Sequence, residues 1–407
     1  MIWVYIRKEY ELPAGLLAAG WRFYHLKSVK INNEISKSYI KGVHKMDIET
    51  RMELIKRVGE EIITEQELRE LLQTKERPIA YDGFEPSGLA HIAFGVFRAI
   101  NVQDMIDAGV HFKLYVADWF AWLNNKLGGD LEKIQQTGKY FVEVWKAAGI
   151  PMDKVTVEWT SNAIKDPEYW KKVILIAKNT TLQRATRCLS IAGRTAGEIK
   201  QTALLFYPMM QTADIFWLKA DICQLGVDQR RANMLAREVG PKLGWWKPVI
   251  VSHHMLMGLE GEKRPDGFDE NKAFDVEISS KMSKSKPATS IFVHDTKEQI
   301  LQKLNNAFCP PKQVQGNPVL EYCKYIIFRK RDSMLIKRLA KFGGNLELQS
   351  YEELEKVYRE GSIHPLDLKQ AVAESLDEIV KPIREHFEKN KKAREMYEIV
   401  KKTEVTR

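Results

Sequence analysis

Two lysines stand three residues apart in the stretch Lys281-Met282-Ser283-Lys284-Ser285, with Ser279 and Ser280 just ahead of them. On a loop, two such ammonium groups could clamp a polyphosphate, each acting as a point charge. A solvated basic loop would carry the same residues. A second segment, GFEPSGLAHIAFG over 83–95, combines glycines, a proline and His91. Glycine at Gly83 lets backbone approach a ligand closely. The start of a following helix would offer unpaired N–H groups to phosphate, and His91 could donate to a phosphate oxygen there. An ordinary strand–helix turn would also use these residues. A third set lies in the apolar run 207–218, where Tyr207, Gln211 and Asp214 interrupt an otherwise hydrophobic helix. Gln211 and Asp214 are three apart and share a face. Polar groups on such a helix must be hydrogen-bonded internally or open into a pocket.

These residues need a frame. Residues 47–74 carry Ile48, Met52, Ile55, Val58, Ile62 and Ile63 at roughly helical spacing, which predicts one or two amphipathic helices. A short strand then ends at Tyr81, before the turn signal Asp82-Gly83. Further strands are expected at 111–118, 155–159, 221–226 and 249–256. Helices are expected between them at 131–149, 167–193, 208–218 and 230–240. Such alternation predicts an α/β fold: a parallel sheet covered by helices on both faces, with ligands at the carboxyl ends of its strands. Tyr81, and Gln229 in Leu225-Gly226-Val227-Asp228-Gln229-Arg230, fall at that rim. Asp118 is a further candidate for a polar contact there. After about residue 295 strand signals fade, and a helical, charged segment follows.

The chain has 407 residues, is 44% hydrophobic and carries a formal net charge of +9, so a polyanionic partner is compatible with it. The lysine-rich surface of an ordinary soluble protein would give the same balance. Cys188, Cys223, Cys309 and Cys323 form no CxxC pair, which speaks against a zinc site or disulfide framework and fits a reducing compartment. No apolar run reaches the ~18–20 residues that span a bilayer. No GxGxxG follows the first strand and no GxxxxGK[ST] occurs, so dehydrogenase and P-loop readings lack their main signal. Residues 1–45 read as an extension whose order the sequence leaves open. Arg7, Lys8 and the short apolar run 16–20 suit a targeting peptide, but Glu9 and Glu11 break its acid-poor pattern.

Taken together, the segments resemble a known family. HIAF over 91–94 looks like the HIGH signature of class I aminoacyl-tRNA synthetases, and KMSKS over 281–285 matches the second signature of that class. Phe94 replaces the second histidine, as it often is replaced in tyrosyl enzymes of archaea and eukaryotes. YPMMQTAD and GVDQR are similar to tyrosyl-tRNA synthetases. The resemblance covers about residues 50–390. It implies a Rossmann-like catalytic domain over 46–295 and an α-helical anticodon-binding domain over 296–407.

The resemblance also implies roles. Positions matching Tyr81 and Asp214 grip the phenolic hydroxyl of tyrosine, and those matching Tyr207, Gln211 and Gln229 hold its ammonium group. Catalysis falls to His91, Lys281 and Lys284, and ATP contacts to Gly83, His91 and Lys284. Arg230 matches an acceptor-stem contact, and Phe342, His364 and Asp367 match positions near the anticodon. His364-Pro365 with Asp367 also reads as a capped helix start. The implied substrates are L-tyrosine, ATP with Mg²⁺ and tRNA(Tyr), in a cytoplasmic homodimer with no tightly bound cofactor and no resident metal. Tryptophanyl-tRNA synthetase shares the fold and signatures. A non-catalytic RNA-binding protein on the same scaffold would be expected to lose the signature lysines. A generic nucleotidyltransferase would not explain the tyrosine stripe.

Overall fold

The computed structural model describes residues 46–193, 201–265, 267 and 269–403, so the reading of 1–45 lies outside the described residues. The described residues from Ile48 onward form one compact unit. Its centre is a six-stranded sheet in the order β1-β6-β5-β2-β3-β4. The strands are β1 (Glu61–Ile63), β2 (Ile79–Phe84), β3 (His111–Val116), β4 (Val155–Trp159), β5 (Ile222–Cys223) and β6 (Val249–Ser252). β2 pairs in parallel with both β3 and β5, and only β1 runs antiparallel to its neighbour, β6. The chain winds from β2 out to β4, then returns to place β5 on the other side of β2. The winding therefore reverses beside β2, and that is where such sheets open a crevice.

Alternate residues of the sheet serve two separate cores. Phe112, Leu114 and Val116 of β3 join one cluster with Ile92, Phe94, Phe141 and Trp145. Tyr81 of β2 and Tyr115 of β3 join the other, with Tyr169, Met210 and Leu235. This is the period-two alternation of a strand covered on both faces. The covering helices begin at side-chain caps. Asp130 accepts from the amides of Glu132 and Lys133, and Asp166 accepts from Glu168 with Pro167 at the first helical position.

Three local expectations need correction. The helical spacing over 47–74 conceals β1, because Glu61–Ile63 pair with Ile250–Ser252 of β6 and that pairing overrides helix propensity. Asp82-Gly83 do not turn; β2 continues to Phe84, held through the pair Phe84↔Val116. The segment beyond 295 is not wholly helical. It holds a hairpin of β7 (Met334–Ile336) and β8 (Leu346–Leu348), strands of three residues each, too short to show a period. The long helix Pro365–Lys389 packs against Lys297–Asn305, and Lys391–Lys401 packs on Leu131–Ala147 of the sheet region. Ile300, Leu320, Tyr322 and Leu368 belong to the same core as Phe94 and Val251.

Candidate active site

A cavity of about 550 Å³ opens at the carboxyl ends of β2 and β5. Tyr81, Gly83, His91, Tyr207, Gln211, Asp214, Gln229, Lys281 and Lys284 all line it. Asp118 does not. Its carboxylate accepts from Gln135 Nε2 and from the Ser161 hydroxyl and amide, which turns it into a local brace. Arg230 lies outside the cavity, with its Nε 2.9 Å from Glu61 Oε2.

The helix Phe206–Trp217 delivers Tyr207, Gln211 and Asp214 to the cavity. Asp214 is buried, and its Oδ1 accepts from Tyr115 Oη at 2.8 Å and Tyr169 Oη at 2.9 Å. Burial pushes this carboxyl well above the usual carboxylate range, while the two tyrosine hydroxyls oppose the rise. Tyr81 is equally buried. Among the described residues its Oη has no hydrogen-bond partner. Burial, then Cys223 and Asp214, push its phenol well up, so it stays neutral and able to donate. A buried hydroxyl without a partner costs free energy, and a ligand oxygen would relieve that cost.

At the other side of the cavity Tyr207 Oη donates to Glu85 Oε1 at 2.7 Å. Gln211 Nε2 donates to Gln229 Oε1 at 3.0 Å, and Gln229 Nε2 to the Ile191 carbonyl at 3.1 Å. Glu85 is the carboxylate of this group. It supplies the negative charge that Tyr207, Gln211 and Gln229 lack, and the resemblance had not singled it out. The same is true of Tyr115 and Tyr169. A tyrosine on a strand, or on a distant helix, carries no sequence sign that its hydroxyl meets Asp214.

The two signature segments meet physically. Ile92 N–H donates to the Ile291 carbonyl and Val293 N–H to that of Ala90, which ties the 90–92 stretch to the chain just past KMSKS. Gly95 permits this approach, since a Cβ there would lie 2.6 Å from Val293 Cγ1. His91 Nδ1 accepts from the Phe94 amide at 3.3 Å. Burial, with Lys284 and Lys281 nearby, pushes its pKa down to about 3. The ring is therefore neutral at pH 7, and its one proton sits on Nε2. Lys284 Nζ donates to Ser87 Oγ at 3.0 Å and lies 4.4 Å from the Phe141 ring centroid and 5.7 Å from that of Phe94. Burial and Lys126 push its pKa down to about 7, against the pull of Glu85. Lys281 Nζ is held 2.8 Å from Asp228 Oδ2. Phe94 packs edge-on to Phe84 and against Phe141, so it serves as floor for Lys284 and donates nothing.

The remaining candidates lie elsewhere. Phe342 is 60% exposed, with Lys341 Nζ 4.9 Å from its ring centroid. His364 caps the Pro365–Lys389 helix, its Nδ1 accepting from the Leu366 amide, and Asp367 lies in the first turn of that helix. Among the described residues no cluster of three or more His, Cys, Asp or Glu could hold a metal, and no helix is long and apolar enough to cross a membrane.

A switch-point crevice flanked by both signatures defines a class of nucleotide-activating enzyme, and sequence comparison agrees. The family of tRNA synthetases class I (W and Y) matches residues 73–264 and 276–381, and the chain belongs to that family. A cytoplasmic tyrosine–tRNA ligase of Arabidopsis thaliana is 45% identical over 364 residues, covering 89% of this chain and 90% of the relative. The tyrosine–tRNA ligase of Sulfurisphaera tokodaii is 46% identical over 349 residues, 85% of this chain and 95% of that one. The crystal structure of the Pyrococcus horikoshii tyrosyl-tRNA synthetase complexed with L-tyrosine superposes with a TM-score of 0.79 at 40% identity, covering 87% of this chain and 100% of that one. Within the family, the chain is one of the tyrosyl-tRNA synthetases.

Proposed function

We propose that this enzyme activates L-tyrosine with ATP and transfers the tyrosyl group to its transfer RNA, with the cavity beside β2 as the site of activation. The observation that carries the assignment of residues is the buried Tyr81 Oη, without a partner among the described residues, in the same cavity as Asp214. A phenol entering there accepts from Tyr81 and donates to the Asp214 carboxylate that Tyr115 and Tyr169 hold in place. Phenylalanine would leave the Tyr81 hydroxyl unpaired and bring Asp214 no donor beyond Tyr115 and Tyr169. Tyrosyl-tRNA synthetases are themselves the standing example of such discrimination. Tyr207, Gln211 and Gln229 receive the ammonium group, and Glu85 balances its charge.

The tyrosine carboxylate then attacks the α-phosphate of ATP in line, and pyrophosphate leaves. Gly83 lets the nucleotide lie close to the backbone. His91 donates from Nε2, and Lys281 and Lys284 meet the charge that develops on the leaving phosphates. Mg²⁺ arrives on the triphosphate as part of the substrate. A hydroxyl of the terminal ribose of the transfer RNA then attacks the carbonyl of the tyrosyl-adenylate, forming the ester as AMP leaves. Arg230 contacts the acceptor stem, and Phe342, His364 and Asp367, in the anticodon-binding region 296–407, contact the anticodon end. The enzyme works as a cytoplasmic homodimer.

Tyrosine-dependent ATP–pyrophosphate exchange, compared with exchange driven by phenylalanine, tests this reading. Tyr81→Phe removes one donor to the substrate hydroxyl, so the tyrosine/phenylalanine ratio of kcat/KM should fall by roughly one to two orders of magnitude. An unchanged ratio would remove Tyr81 from the pocket.

A further inference from the structure

His254, just beyond β6, sits where three segments meet. Its Nδ1 lies 3.0 Å from Glu277 Oε1 and its Nε2 lies 3.1 Å from Glu321 Oε1. Neither approach has good hydrogen-bond alignment, so both are ionic contacts. The ring stacks on Tyr325, with centroids 4.3 Å apart and planes 10° apart. Glu277 belongs to the helix Lys272–Ser280, which ends directly before Lys281. Glu321 and Tyr325 belong to the C-terminal segment.

Both carboxylates also grip the backbone that follows His254. Glu277 accepts from the Met255 amide at 2.7 Å and Glu321 from the Met257 amide at 2.5 Å. Tyr322 Oη donates to the Met257 carbonyl at 2.7 Å. That backbone in turn carries the signature loop: Met257 bridges to Lys281, and Met282 N–H donates to the Leu256 carbonyl at 2.7 Å. Burial opposes a charge on His254, but Glu321 and Glu277 outweigh it and push the pKa up to about 10. The ring is a cation at neutral pH. Without it, two half-buried carboxylates would face a shared site with only backbone amides to balance them.

We infer that His254 is a positioning residue, whose imidazolium couples the C-terminal segment, through Glu321 and Glu277, to the placement of the KMSKS loop during adenylate formation. The inference rests on the proposed activation reaction. His254 itself lines the cavity, but neither glutamate does, so Glu321→Gln tests the coupling without altering a group that faces substrate. Nothing in the sequence marks the trio, because its members lie far apart along the chain and each reads alone as an ordinary polar residue.

Pyrophosphate exchange in Glu321→Gln, His254→Asn and the double variant provides the test, with thermal melting in parallel. Glu321→Gln keeps an acceptor for the Met257 amide and so preserves the local fold. We expect kcat to fall about tenfold or more and KM for ATP to rise, as displaced catalytic groups require. KM for tyrosine should stay within about twofold, and the double variant should equal His254→Asn alone, as expected for residues acting through one contact. An unchanged kcat in Glu321→Gln, an equal change in both KM values, or additive effects in the double variant would overturn the coupling. Absence of tyrosine-dependent exchange in the unaltered enzyme would instead overturn the proposed function, and the coupling with it.

Discussion

At the scale of single residues, the site is a set of groups kept short of their ordinary partners. Tyr81 has a donor with no partner among the described residues, and Lys284 sits on two aromatic rings with its pKa lowered to about 7. The lysine makes a signed prediction. Below pH 7 it is already protonated in the free enzyme. Above pH 7 it is mostly neutral, and a triphosphate favours the ammonium form. Binding of ATP should therefore take up a proton at pH 8–9 and almost none at pH 6. Calorimetry in buffers of different ionisation enthalpy measures the uptake, and Lys284→Ala should abolish it. Folding follows the same linkage. The unfolded lysine keeps its proton to about pH 10.4, so this group makes stability rise with pH between about 7 and 10. Much of the lining was legible in the sequence, because Tyr207, Gln211 and Asp214 share a helix and the two signatures carry His91, Lys281 and Lys284. Tyr115, Tyr169, Glu85 and His254 were not legible. Their partners lie 99, 45 and 122 residues away for the first three, and no local spacing encodes such pairings. Asp118 was misplaced, because the end of a strand says nothing of whether a carboxylate faces a crevice or a neighbouring loop.

At the scale of elements, the strand–helix alternation is written in period and capping residues, and the parallel sheet follows from it. Short strands are not so written. Glu61–Ile63 and the β7–β8 hairpin exist because a partner strand is present, which only the tertiary structure reveals. The same holds for the contact between the first signature and the segment past the second. Gly95 is its narrowest point, where an added methyl would also come within 3.1 Å of Val144 Cγ1. Gly95→Ala should destabilise the enzyme by about 1–3 kcal/mol through overpacking. It should also slow adenylate formation, because His91 and the KMSKS loop would be pushed apart. Denaturant unfolding and single-turnover pyrophosphate release report the two effects separately. A loss of stability with chemistry untouched would show that the close approach serves packing alone.

At the scale of the whole molecule, the cavity and the exposed Phe342 lie in different parts of one compact unit. Activation and transfer RNA recognition should therefore separate under mutation. Phe342→Ala should weaken tyrosylation by about 1–3 kcal/mol, the scale of one lost base stack, while leaving pyrophosphate exchange unaltered. A parallel loss of exchange would place Phe342 in the activation step instead.

The sheet also divides the labour between its two faces. Tyr81, Tyr115, Tyr169 and Tyr207 draw their packing from one core, whereas Phe84, Phe94 and Met282, which line the cavity with the two signature segments, draw theirs from the other. Side chains that share no neighbours tend to act independently when changed. A redesigner wishing to recode the enzyme for an enlarged or halogenated phenol could rebuild the first face and leave the energy-yielding half of the reaction undisturbed.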